Sequence, residues 1–165
     1  MSMFHHRYFG DLNASAEDTD VVWEKTFALN GATFDVSLWL GKNERLDDSM
    51  LDAFAALLED LGALDAGARA RLTTYLEEDR AFIDYHVEEL EESDILDRLI
   101  DDAGSNAIET AAFVAAMRLN GIGLWVGMAS SPVVMDYVIN PENSDQILAV
   151  KTARDGSVVA IDWES

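Results

Sequence analysis

Asp79, His86 and Glu89 come nearest, by type and spacing, to a set of residues that could do chemistry. Seven positions, or two helical turns, separate Asp79 from His86. A continuous helix would therefore carry both on one face beside Tyr75, Phe82, Val87 and Leu90. Glu89 would complete a carboxylate–histidine cluster able to hold a divalent metal or move a proton, the centre of a metal-dependent hydrolase. The same spacing also describes the border of an apolar stripe, with Asp79 and His86 hydrogen-bonded to backbone. That second reading is preferred, because two zinc-type ligands on one helix normally sit at i and i+4 and no third histidine is nearby.

Other motifs fail on position. Gly121, Gly123 and Gly127 follow a predicted helix and fall in an alternating segment around Trp125, whereas a dinucleotide loop follows a strand and opens a helix. Gly123 and Gly127 are expected to leave room for an aromatic ring or a neighbouring backbone. Asp101-Asp102-Ala103-Gly104 resembles a calcium loop, but Ile108 and Glu109 stand four and five residues after the glycine, where that loop needs two and six. His5-His6 reads as a solvated or docked chain end. With Cys 0 there is no thiolate chemistry and no disulfide. The chain also lacks a nucleophile elbow, a Walker A loop and an HExxH pair, so the sequence assigns no catalytic residue, metal or cofactor.

Charge says more. Lys+Arg 11 against Asp+Glu 32 gives a net charge of −21 on 165 residues that are 49% hydrophobic. Such a chain is expected to fold around a real core beneath an acidic surface. That surface repels phosphate backbones and anionic headgroups, so neither nucleic acid nor membrane is an expected partner; a basic protein is. Between Glu77 and Asp102 there are twelve acidic residues and two arginines, a net −10 in 26 positions. Glu88, Glu89, Glu91, Glu92, Asp101 and Asp102 are therefore candidate partner-binding residues. No early apolar run suits a signal peptide and no segment approaches a membrane span, so a cytoplasmic location is expected.

These residues need elements to position them. Val21 to Leu29 and Phe34 to Leu40 alternate with period two around Asn30-Gly31, the dipeptide of a type I′ hairpin turn. Trp23 falls with the inward set. Trp39 falls outward beside Asp35 and Ser37, where it could anchor a partner, although cover by a loop or terminus is the preferred reading. The period then lengthens. The pattern predicts a helix capped by Asp47 or Asp48 and ended by Gly62, a long helix from Asp65 to about Glu91, a short one from Asp94 to Ala103, and one from Asn106 to Asn120-Gly121. Four strands close the chain: Ile122 to Met128, Val133 to Ile139, Gln146 to Thr152 and Ser157 to Trp163, with a two-residue turn expected at Asp155-Gly156. Links this short impose antiparallel neighbours. The expected fold is thus one α+β domain over residues 1–165: an antiparallel sheet, built from the N-terminal hairpin and a C-terminal four-strand meander, with about four helices packed on one face.

Tyr8-Phe9-Gly10 ahead of the Asn-Gly hairpin, Asp136-Tyr137, Ser144 to Val150, Asp155-Gly156 and Trp163-Glu164-Ser165 together resemble a family of uncharacterised bacterial proteins, domain of unknown function two-thousand-four. That resemblance implies a bacterial cytosolic single domain and brings no activity or catalytic residue. Three functional readings stay open. One is a non-catalytic acidic module docking a basic partner, in the manner of immunity proteins that block cationic toxins. The second is the hydrolase at Asp79, His86 and Glu89. In the third, adaptation to high salt alone accounts for the charge, in keeping with only three lysines (Lys25, Lys42 and Lys151) and an excess of Asp over Glu.

Overall fold

The structure is a computed structural model describing residues 3–14, 18–89, 109–139 and 145–164, without the side chains of 87–89. Its centre is a six-stranded sheet. β3 (Asp20–Leu29) and β4 (Ala32–Leu40) form the expected hairpin. Asn30 and Gly31 take φ of 52° and 83°, as a type I′ turn requires of both central residues. A smaller hairpin precedes it, β1 (Met3–His6) paired with β2 (Gly10–Asn13). Alternation does not reveal this pair, because four-residue strands show too little of it. It docks through Leu12 and Phe9, whose ring meets Trp23 edge-on at 4.7 Å.

His6 fastens the same hairpin. The N–H groups of Tyr8 and Phe9 donate to its Nδ1 at 3.1 and 3.4 Å, so Nε2 carries the proton and donates to Asp52 at 2.8 Å. One tautomer thus ties the first turn of the chain to the first helix.

That helix is α1 (Asp48–Glu59), and the Asp47 carboxylate accepts from the Met50 N–H at 2.8 Å as an N-cap. Its end differs from expectation. Asp60, and not Gly62, closes α1 through its N–H to Leu57 and opens α2 (Leu61–Glu78) by accepting from Ala63. A second break interrupts the predicted long helix: Asp79 adopts φ −145°, ψ 104°, its N–H bonds Tyr75 and its carboxylate accepts from Ala81, where α3 (Ala81–Glu89) begins. One aspartate at each joint therefore serves two helices. α4 (Thr110–Ala116) stops at Met117, short of the expected Asn120-Gly121. The helix predicted from Asp94 to Ala103 and the Asn106 cap lie outside the described residues.

β5 (Arg118–Trp125), β6 (Val133–Val138), β7 (Ile147–Thr152) and β8 (Val158–Glu164) form the antiparallel meander. Strand order is β3-β4-β5-β6-β7-β8, and the join between β4 and β5 is parallel. The sheet is therefore mixed and not purely antiparallel. The reason is connectivity: the helical stretch after β4 acts as a crossover long enough to return the chain in the same direction. At the β7–β8 link, the Gly156 N–H bonds Ala153 and the Ala153 N–H bonds Ser157, leaving three residues in the loop with Gly156 at φ 88°. A two-residue type I′ turn would need positive φ at Asp155 as well, which it lacks.

Pleat divides the sheet into two faces. Phe34, Val36, Leu38, Ile122, Leu124, Met135, Tyr137, Leu148 and Val150 are buried toward the helices and join Leu51, Phe54, Leu72, Leu76, Phe82 and Phe113 in one apolar cluster. Asp35, Ser37, Trp39, Gly121, Gly123, Trp125, Val134, Asp136, Lys151, Asp162 and Glu164 occupy the other face. No described helix is long and apolar enough to cross a membrane.

Candidate functional site

The Asp79–His86–Glu89 set is not assembled on one helix. Asp79 sits at the joint between α2 and α3 with its carboxylate on the Ala81 N–H at 3.0 Å. His86 is wholly buried, and its Nδ1 donates to the Phe82 carbonyl at 2.7 Å. Burial lowers its pKa, against that hydrogen bond, and favours the neutral ring. Both side chains are engaged with backbone, and the Glu89 side chain lies outside the described residues, as do those of Glu88, Glu91, Glu92, Asp101 and Asp102. Among the described residues no group of three metal-type ligands converges.

Charged residues line several cavities, and two of these open on strands of the six-stranded sheet. The larger, about 790 Å³, lies beside the β3–β4 turn, α2 and the start of β5, and includes Asp65, Arg69 and Arg118. Its buried charges are already spent on one another. Arg69 Nε donates to both Asp65 oxygens at 3.0 Å, and Arg69 Nη1 donates to the carbonyls of Val114 and Met117 at 2.6 and 2.8 Å. Tyr137 donates its hydroxyl to Asp65 at 2.6 Å and lies under the guanidinium at 5.2 Å. Burial above all, with the bond to Asp65, pushes the Tyr137 phenol far above its ordinary range, so it stays protonated. This is a brace: it bonds α2 to β6 and caps the C-terminal carbonyls of α4 with a cation.

The second cavity, about 480 Å³, is a trough on the open sheet face. Strand register builds it. Asp35 on β4, Gly121 on β5 and Asp136 on β6 are successive Cα partners, so two carboxylates flank a residue without a side chain. One step along, Ser37, Gly123, Val134 and Lys151 form the next row, and beyond it Trp39 pairs with Trp125. The two indoles stack at 4.8 Å with 4° between planes. A Cβ on Gly123 would stand 2.6 Å from Trp125 Nε1, so that glycine makes room for the ring, as its position suggested. Gly127 makes room for the Glu44 carboxylate, which accepts from the Gly41 N–H, and not for a ring or backbone.

Electrostatics single out Asp136. Thr26 donates to Asp35 at 2.6 Å, and Lys151 bonds Asp162 at 2.7 Å and approaches Glu164 at 3.8 Å. Asp136 has no hydrogen bond and no ion pair within 4 Å among the described residues. Burial chiefly, then the charge of Glu164, raise its pKa, and Lys151 offsets only part of this. No protein family, curated protein or solved structure matches this chain. Trp39 and its neighbours Asp35 and Ser37 were legible from alternation. Asp136 and Gly121 were not, because their partnership depends on the β4–β5 register, which no local pattern encodes.

Proposed function

We propose that this protein is a non-catalytic binding module that docks a basic partner on the open face of its sheet. The observation that carries the reading is Asp136: a half-buried carboxylate, beside a second negative group and a stacked indole pair, with no hydrogen-bonding partner among the described residues. An anion held in this way costs stability and is relieved by a cation arriving from outside. Trp39 and Trp125 supply the flat, desolvated contact that anchors protein interfaces and attracts cationic side chains. Net charge favours the same class of ligand, since a field of −21 draws cations from a distance.

An amide and indole NMR titration of the protein with a mixed Arg/Lys peptide at low salt tests the proposal. Docking on this face shifts the indole N–H signals of Trp39 and Trp125 and the amides of residues 121–125 and 134–136. Trp125→Ala weakens binding by about tenfold or more, the loss of roughly 1.4 kcal/mol expected of an interface anchor. Shifts confined to the helices, or affinity unchanged by Trp125→Ala, would remove the reading.

A further inference from the structure

We infer that the trough over Gly121 is a slot for an arginine side chain, its guanidinium bridging Asp35 and Asp136 and its stem lying toward Trp125. This rests on the docking reading above and sharpens it to one residue type. Gly121 is the first reason. Its φ is not positive, and a Cβ there would meet only the Asp35 carbonyl oxygen at 3.6 Å, an ordinary contact. Neither backbone nor packing demands glycine in this central strand, where it weakens the sheet. Its effect is to leave the floor open between the two carboxylates. Asn120 adds to the opening, because the β5–β6 register shifts there and leaves one extra residue at the end of the trough.

Width selects the cation. Neighbouring strands lie about 4.8 Å apart, so the backbones of Asp35 and Asp136 stand about 9.6 Å apart across Gly121. Thr26, on the far side of Asp35, holds that carboxylate away from the slot. An ammonium is one nitrogen and reaches two carboxylates only across about 5.6 Å, twice a charge-assisted bond length. A guanidinium carries donors on opposite edges of a plane and spans about 8 Å. Its flat faces also suit contact with an indole, which an ammonium makes only as a point charge.

Calorimetric titration of the full chain with acetylated tri-arginine and tri-lysine peptides, equal in charge, tests the slot. Tri-arginine should bind about tenfold tighter or better, the discrimination of roughly one lost charge-assisted bond. Gly121→Ala and Asp136→Asn should each bring the two peptides within about twofold of one another. Equal affinities in the unaltered protein, both weakened by Trp125→Ala, overturn the slot and leave the docking face standing. An arginine preference that survives both variants also overturns it, since the preference then resides elsewhere. Binding of neither peptide at low salt overturns the slot and the docking face together.

Discussion

Asp136 and Tyr137 are adjacent in the chain and opposite in circumstance. Tyr137 points to the helices, where its hydroxyl donates to Asp65 and its ring lies under Arg69. Asp136 points the other way, into the trough, where no described residue hydrogen-bonds it and Lys151 offsets its burial only in part. Burial shifts both toward their protonated forms. On one side of β6 the cost of burying polar groups is met inside the fold; on the other no described residue meets it. Covered polar groups that are fully satisfied report on stability, and half-covered ones that are not report on recognition.

The largest blow to this contrast comes from its closed side. Asp65→Ala removes the acceptor that Arg69 and Tyr137 share, and should lower the free energy of unfolding in urea by roughly 3 kcal/mol, as for other broken buried pairs. Binding at the trough should survive in the fraction that remains folded. A loss under about 1 kcal/mol would mean that the brace is no stronger than a surface pair.

One added methyl should then separate the faces. Gly156 has φ 88°, and a Cβ there would press on Leu57 and Leu64 at 3.0 and 3.3 Å. Gly156→Ala should cost about 1–2 kcal/mol in thermal or urea unfolding. Gly121→Ala, on the open side, should stay within about 0.5 kcal/mol of the unaltered protein. An equal penalty at Gly121 would show that a Cβ there meets more than the Asp35 carbonyl oxygen, and that the floor of the trough is not open.

Asp136→Asn should have the smallest effect and the most informative sign. A carboxyl whose folded pKa is raised stabilises the fold below its unfolded pKa, and that contribution is lost as pH rises through the folded value. At about pH 7 the ionised group is therefore a liability, and Asp136→Asn should raise the melting temperature; near pH 3 the natural carboxyl is protonated and the gain should vanish. A substitution that stabilises the fold while weakening docking is the mark of a group kept for its ligand.

Much of the architecture was legible because it is local. The period-two runs, Asn30-Gly31 and the Asp47 cap predicted the central hairpin, the first helix and the meander. Non-local contacts defeated the rest. The sequence pattern carries α4 on to Asn120-Gly121, but the backbone turns extended at Met117, where Arg69, 48 positions earlier, takes the free carbonyl. Asp65 reads as the start of a helix, yet it lies in the second turn of α2, facing inward between Leu61 and Leu72, because Arg69 and Tyr137 wait for it. Trp39 could be placed outward from its own strand; that Trp125 stacks on it could not.

The parallel seam between β4 and β5 bears on how the chain reaches this state. It joins Asp35 to Gly121, 86 positions later, so the β3–β4 hairpin can close early while its sheet must wait for a long loop to be drawn shut. Contacts of such range slow the search for the native state. On a translating ribosome the hairpin would emerge with its β4 edge bare, and that edge would stay exposed to strand-to-strand aggregation until β5 had been made.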